Sequence, residues 1–323
     1  FSKGDLIMRK VLLATTALVA MNVSAVQAAD ISIYGGMDWS YYSYDNGSSL
    51  YDTDGNVKLK ATSTADNGIT YTVYQSVGIH TSNEEDSSIT ISGDFGKIQL
   101  GGADSVIDGL DGDVSHYTQD WTNKTVSAPS GAGAHVTGIC NSALFQCGGE
   151  AGLYGAIGAK NHSGDGDNKV GYVSPTMNNF TVAVSSQDTA DDGMYYAVKY
   201  KNDMFAVMVG QGEEGDRKDS SMGVGVTMGD TTVRYQTGNS KVGSTNQVDR
   251  AEIGVTTSMA GVDLWIGKST EEEKIAAADK LDISSVGVGY SVAPGVTLSS
   301  EYFQAESLTT EENSTSINLS VAF

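Results

Sequence analysis

Residues 31–42 read Ile-Ser-Ile-Tyr-Gly-Gly-Met-Asp-Trp-Ser-Tyr-Tyr, and the character of the side chains alternates along this stretch. In an extended chain, Ile31 and Trp39 lie on one face, whereas Ser32 and Asp38 lie on the other. A period of two residues is typical of a β-strand that has one apolar and one polar face. The alternation recurs at residues 57–62, 181–185 and 316–323. The chain is therefore predicted to be all-β.

Two all-β architectures show this alternation. A soluble sandwich buries its apolar strand faces in a core, whereas a membrane barrel turns them toward lipid and keeps a polar lumen. The predicted connections alternate between short turns and longer acidic loops. The short turns are residues 66–68, 94–96, 175–179, 202–203, 229–230, 258–261 and 293–295, and the longer loops include 45–55, 83–86, 211–219, 238–246 and 269–279. Short turns at one end and long loops at the other favour the barrel.

The positions of the aromatic residues support the same choice. If the first strand runs outward, two bands of aromatic residues lie at lipid-facing strand ends, as expected at the two membrane interfaces. The inner band is Tyr71, Tyr172, Phe180, Tyr200, Phe205, Tyr290 and Phe323, and the outer band is Trp39, Tyr41 and Tyr302. Trp265 would instead point inward beside Asp263, which a β-bulge could explain. About sixteen strands are predicted, and an even number lets the first strand close against the last.

The first residues have the features of an export signal. Met8 is followed by Arg9 and Lys10, an apolar run at residues 11–21 and small residues at 24–29. This order is typical of a secretory signal peptide, and the apolar run is too short for a spanning helix. Residues 1–28 are therefore predicted to be upstream sequence plus signal peptide, with Met8 as the start. Residues 29–323 are predicted to form one barrel domain.

The chain is strongly acidic. Its 19 basic and 40 acidic residues give a net charge of −21. The predicted signal region holds three of the basic and one of the acidic residues, so residues 29–323 carry −23. Such a charge repels phosphate backbones, and nucleic acid is therefore not an expected partner.

Three short pieces resemble Gram-negative general-diffusion porins of the outer membrane. They are the opening strand at residues 31–36, the hairpin Ser-Gly-Asp-Phe-Gly-Lys-Ile-Gln-Leu-Gly-Gly at 92–102, and the terminal Phe323. The resemblance implies a sixteen-stranded barrel that forms homotrimers, with the third external loop folded into each pore. It also implies that the barrel-assembly machinery reads Phe323 as a signal, although Phe323 could equally be an ordinary membrane-interface aromatic.

The longest connection, residues 103–167, is predicted to be the constriction loop, since loops of this length are normally functional. It begins with Ala103, where family members often carry arginine. In porins of this type, loop carboxylates face a basic cluster on the barrel wall across the pore. The loop candidates are Asp104, Asp108, Asp111, Asp113 and Asp120, and the wall candidates are Lys58, Lys60, Lys97, Arg234 and Arg250. Each of these is alternatively an ordinary solvated residue of the lumen. Because acidic residues outnumber basic ones, cations should be preferred.

Two further features lie in the predicted loop. Cys140 and Cys147 are the only cysteines, and an exported protein is expected to join them in a disulfide. The aspartates Asp108, Asp111, Asp113, Asp165 and Asp167 resemble parts of calcium-binding loops. The bidentate glutamate of an EF-hand is missing, so only a looser structural calcium site is left open. No other cofactor is predicted.

Together these features predict a water-filled outer-membrane pore for passive diffusion of small hydrophilic solutes and ions. Its expected partners are copies of itself, outer-membrane lipid and lipopolysaccharide, and the barrel-assembly machinery. The alternatives are a solute-specific channel, for example for sugars, a barrel enzyme and an adhesin. An enzyme is disfavoured because no Ser/His/Asp group stands in a recognisable frame.

Overall fold

The computed structural model describes residues 29–45, 47, 49–79, 84–102, 106–107, 110, 113–114, 169–187, 193–274, 280–306 and 311–323. These residues form sixteen β-strands. The strands are β1 (Asp30–Tyr44), β2 (Ser49–Thr64), β3 (Thr70–Gly78), β4 (Glu84–Gly93), β5 (Gly96–Gly101), β6 (Lys169–Val173), β7 (Phe180–Gln187), β8 (Gly193–Lys201), β9 (Phe205–Glu214), β10 (Arg217–Met228), β11 (Thr231–Val242), β12 (Thr245–Met259), β13 (Val262–Glu273), β14 (Lys280–Ala293), β15 (Val296–Glu306) and β16 (Glu311–Ala322). Within these ranges, no helix is long and apolar enough to cross a membrane.

The strands form one closed antiparallel barrel. Each strand pairs with its neighbours in the chain, and β1 closes the barrel against β16 from Gly36↔Ala322 to Tyr44↔Ser314. Phe323 continues this pairing, because it exchanges two backbone hydrogen bonds of 3.0 Å with Gly35. Closure gives each described strand a hydrogen-bonded neighbour on both sides, so the barrel of the described residues has no open edge strand. The predicted all-β barrel of about sixteen strands is confirmed.

Residues on the outward face follow the predicted alternation. Apolar side chains at every second position are exposed, and the inward positions between them are polar, small or buried. The predicted aromatic bands face outward. At the inner end, which we define as the end with the short turns and Phe323, the ring of Tyr200 lies 5.0 Å from Phe180 and 5.4 Å from Phe205. At the outer end, Trp39 and Tyr41 both contact Tyr51.

The predicted outer loops are wrong in extent. β1 and β2 leave only residues 45–48 between them, β9 and β10 leave 215–216, and β11 and β12 leave 243–244. In these hairpins the strands continue beyond the apolar belt, where both faces carry polar side chains. The sequence alternation fades there, but backbone pairing does not depend on it. Residues 83–86 and 269–279 are likewise partly strand, since β4 begins at Glu84 and β13 ends at Glu273.

Trp265 points inward as predicted, and its side chain is 8% exposed. The suggested bulge is wrong, because Trp265 pairs with Thr256 and Gly287 in unbroken registers. Its indole N–H donates to a carboxylate oxygen of Glu301 at 3.1 Å. A Cβ on Gly287 would overlap the indole ring. The missing side chain at Gly287 therefore provides the space that a large inward ring needs.

Candidate functional site

Parts of the long connection between β5 and β6 lie inside the barrel. Val106, Ile107 and Val114 are buried, and Val114 is 0% exposed. They pack against inward-facing side chains of β7, β8 and β9, namely Ala183, Tyr195, Ala197, Ala206 and Met208. Three of these five side chains are alanines, which leave room for the aliphatic residues of the connection. This cluster stabilises the connection on one side of the lumen by burial of apolar surface.

Two glycines allow the connection to approach the wall closely. A Cβ on Gly171 of β6 would lie 2.5 Å from Cγ1 of Val106, and one on Gly225 of β10 would overlap the carbonyl oxygen of Asp113. Glycine inside a strand commonly marks such a close approach of another backbone. The wall formed by β6–β10 is therefore shaped to receive this segment.

Asp113 holds the segment through charge. Lys201 donates to Oδ1 of Asp113 at 2.7 Å, and Lys199 forms an ion pair with the other carboxylate oxygen. Lys199 also donates to the carbonyl oxygen of Leu110 at 2.6 Å. The side chain of Lys199 is 11% exposed, that of Asp113 30% and that of Lys201 57%. We call Asp113, Lys199 and Lys201 the tether.

The tether keeps Asp113 ionised. Burial alone would raise the pKa of this carboxyl, but the hydrogen bonds and positive charges of Lys199 and Lys201 outweigh burial, so the pKa lies below its ordinary value. Two lysines compensate one carboxylate. Asp113 is therefore part of a structural contact and differs from a carboxylate that faces passing ions with its charge uncompensated.

Farther around the barrel, the lumen face of β2 is polar and partly or fully exposed. Lys58 and Lys60 face inward on β2, six strands from the tether strand β8 around the barrel, since Val57 and Leu59 between them face outward. Toward the inner end, paired threonine hydroxyls link β2 to β3, with Thr62 and Thr72 at 3.3 Å. We call the part of the connection that packs inside the barrel, which includes Val106, Ile107, Asp113 and Val114, the docked segment. Solutes that pass the docked segment would meet these lysines and hydroxyls on β2 and β3.

The other predicted basic residues do not join Lys58 and Lys60. Lys97 lies near the inner end of β5, where it pairs with Ser92 and Val173. Arg234 faces inward on β11 directly beside Gly225, on the tether side, and donates to the hydroxyl of Thr256 at 3.0 Å. Arg250 lies on β12, and its backbone pairs with Gly238 of β11 and Glu271 of β13. Its side chain lies outside the described residues.

Most predicted loop residues also lie outside the described part of the chain. These are Asp104, Asp108, Asp111, Asp120, Cys140, Cys147, Asp165 and Asp167. Among the described residues, no group of three His, Cys, Asp or Glu side chains is placed to hold a metal ion. The calcium and disulfide hypotheses therefore stay predictions.

Two sets of lumen residues were missed in the sequence. Lys199 and Lys201 share the inward face of β8 with Tyr195 and Ala197, so the alternation alone could have identified them. The second set is Asp38, Asp52 and Asp54, inward-facing carboxylates in the outer halves of β1 and β2. Asp52 and Asp54 were missed because residues 45–55 were predicted to be a loop, whereas the alternation placed Asp38 on the polar face but did not single it out as a lumen charge.

Comparisons with known proteins agree with this architecture. A family model described as Gram-negative porin matches residues 14–320. A search of the curated proteins finds no match. Among solved structures, a loop L8 deletion mutant of OmpT, an outer membrane protein of Vibrio cholerae, is similar at a TM-score of 0.68 and 14% identity, over 92% of this chain and 100% of that chain. An anion-selective porin from Comamonas acidovorans is similar at 0.68 and 13% identity, over 91% and 100%. A trimer form of OmpT is similar at 0.67 and 14% identity, over 92% and 100%. At such identities these likenesses establish the fold.

Proposed function

The chain belongs to the Gram-negative porin family, and from this premise we propose that it is a cation-preferring, water-filled pore for passive diffusion of small hydrophilic solutes. It is an outer-membrane channel. The observation that carries the proposal is the division of the lumen, in which the segment around Val106 to Val114 covers the wall of β6–β10 while Lys58 and Lys60 on β2 stay accessible.

The cation preference is a competition between charges. Asp38, Asp52 and Asp54 face the outer half of the lumen. We propose that Asp108 and Asp111, which lie outside the described residues, add to them. Lys58 and Lys60 oppose them on the inner side. The acidic set outnumbers the basic one, and rings of carboxylates favour cations. The preference should be moderate because the Debye length is ~8 Å at physiological salt. The similar Comamonas acidovorans porin is anion-selective, so the fold does not decide the sign.

The zero-current potential across a potassium chloride gradient tests this proposal. In a planar bilayer, the wild-type pore should give a zero-current potential whose sign corresponds to cation selectivity. The double variant Asp108→Asn with Asp111→Asn should shift this potential toward the value of an anion-selective pore. Asp113 is left unchanged because it belongs to the tether. The matched control is Glu272→Gln, which removes an outward-facing carboxylate that pairs with Lys274. An anion-selective wild type, or equal shifts in both variants, would reject the preference.

The assembly and the partners are part of the proposal. We propose a homotrimer, for which the trimer form of OmpT offers a structural precedent. Conductance that closes in three equal steps would support it, and single steps only would contradict it. Outer-membrane lipid, lipopolysaccharide and the barrel-assembly machinery are proposed partners. We also propose that residues 1–28 are removed on export, which N-terminal sequencing of the mature protein would check.

The family and the fold are those of a channel, and we propose no catalytic activity. Hydrolysis of lipid or peptide by the purified barrel would contradict this. A sugar-selective pore is the second candidate, and the paired threonine hydroxyls of β2 and β3 favour it. Saturable conductance block by a sugar would distinguish a selective pore from a general one.

A further inference from the structure

The inward face of β2 changes its charge along the pore axis. From the outer end inward, its successive lumen-facing residues are Asp52, Asp54, Asn56, Lys58 and Lys60. The intervening Val57 and Leu59 face outward and are exposed. A single strand therefore presents two carboxylates, one amide and two ammonium groups in sequence along the lumen wall.

The neighbouring strand reinforces the outer, acidic part of this column. Asp38 of β1 faces Asp54 directly across the strand pair. Opposed like charges cost stability. The side chain of Asp52 accepts from the backbone N–H of Thr53 at 2.9 Å, and that of Asp54 from Gly55 at 2.7 Å. Among the residues that the structure describes, no lysine or arginine forms an ion pair with these three carboxylates.

The inner part of the column is basic. No described carboxylate forms an ion pair with Lys58 or Lys60. Lys97 lies three strands away, near the inner end of β5, and is not part of the column. Asp113 does not offset Lys58 and Lys60, because its charge is taken up by Lys199 and Lys201 on the other side of the lumen.

The two charged regions are far enough apart to act separately. Asp54 and Lys58 are four residues apart, and Asp54 and Lys60 are six, which at ~3.3 Å per residue is about 13 to 20 Å along the strand. A strand tilt of ~45° reduces this to about 9 to 14 Å along the pore axis. That distance matches the Debye length of ~10 Å at 0.1 M salt and exceeds the ~3 Å at 1 M.

We infer that the pore carries a charge dipole along its axis, acidic outside and basic inside, and that its current rectifies at low salt. This inference rests on the proposed channel function. With the outer side positive, cations enter through the acidic region and anions through the basic region, so both accumulate in the lumen and conductance rises. With the opposite polarity, each ion must first enter the region that repels it, so the lumen is depleted and conductance falls.

Single-channel current–voltage curves in symmetric potassium chloride test the inference. The ratio of conductances at opposite voltages should be about 1.5 to 2 at 0.1 M and approach 1 at 1 M, where screening shortens to ~3 Å. Each channel shows this asymmetry whatever its orientation in the bilayer. Conducting channels with straight curves at 0.1 M would overturn the inference and leave the channel function intact. Failure to conduct would overturn the channel function and the inference with it.

Two paired variants locate the effect. Asp38→Asn with Asp54→Asn removes the acidic region, and Lys58→Gln with Lys60→Gln removes the basic region. Each pair should lower the ratio toward 1, while the zero-current potential shifts toward anions in the first and toward cations in the second. The control is Lys218→Gln with Lys268→Gln, two exposed lysines on outward-facing positions of β10 and β13. Rectification that survives both variants, or that disappears in the control, would overturn the inference.

Discussion

Replacement of Asp113 by asparagine should loosen the in-folded segment and leave the barrel intact. The variant removes the only charge of the tether that comes from the connection between β5 and β6. Lys199 then retains the carbonyl oxygen of Leu110 as an acceptor but has no counter-charge, in a position where 11% of its side chain is exposed. The apolar contacts of Val106, Ile107 and Val114 remain. The segment should therefore stay in the lumen while moving more.

The size of the effect follows from the exposure of the two lysines. A hydrogen bond to a charged, poorly exposed group contributes about 1.5 to 3 kcal/mol, and this applies to Lys199. Lys201 is mostly exposed, so its pair contributes no more than about 1 kcal/mol. A loss of about 2 to 3 kcal/mol raises the population of the detached segment roughly 30- to 140-fold.

Single-channel recordings measure this population as transient current fluctuations. Asp113→Asn should fluctuate far more often than the wild type, whereas Glu272→Gln, which removes a carboxylate of the outer rim, should not. Adding Lys199→Met to Asp113→Asn should lower the frequency of current fluctuations part of the way back to the wild-type value, because no poorly exposed charge is then left unpaired. If Asp113→Asn alone fluctuated no more often than the wild type, the proposed role of the tether would be wrong.

Acid should reproduce the effect in the wild type. Because Asp113 has a lowered pKa in the folded protein, its contribution to stability is complete above the ordinary carboxyl pKa of about 3.9 and is lost as the pH falls through the lower, folded value. Fluctuations should therefore increase below about pH 4 in the wild type and change little in Asp113→Asn. Equal acid responses in the two proteins would assign the titration to other carboxylates.

Three further predictions concern assembly and stability. Cys140 and Cys147 should form a disulfide, so intact-mass alkylation of unreduced protein should find no free thiol; two labelled thiols would contradict this. Deletion of Phe323 should leave export intact but reduce barrel insertion, and normal heat-modifiable trimer in outer-membrane fractions would show that it is only an interface aromatic. Gly287→Leu should displace the ring of Trp265 and destabilise the barrel by about 1 to 3 kcal/mol, the usual cost of overpacking, which would lower its unfolding temperature. An unchanged unfolding temperature would show that the ring has other space.

The alternation of residue types was sufficient to predict the barrel because it reports which face each residue occupies. In residues 31–42 the apolar face meets lipid, and a shift by one residue would turn that face into the lumen. The same rule placed Trp265 inward correctly. It failed at the outer strand ends, as at Arg217 and Lys218 of β10, because both faces there are polar and only backbone pairing defines the strand. The sequence therefore predicts strand positions within the apolar belt better than strand ends beyond it.

The role of Asp113 could not be predicted for a different physical reason. In the sequence it is one of five similar aspartates, and nothing local distinguishes it from Asp108 or Asp111. Its partner Lys201 is 88 positions away, so their contact depends on the path of the connection through the lumen. The period of two predicts which face of a strand a residue lies on, but a loop has no such period, so its sequence does not predict which way a side chain points. A carboxylate can act on passing ions only when its own charge is uncompensated, so the pairing decides which aspartates belong to the selectivity machinery. On this criterion Asp54 and Asp38 are better candidates than Asp113, although the alternation places only Asp38 on the polar face and Asp54 lies in a predicted loop.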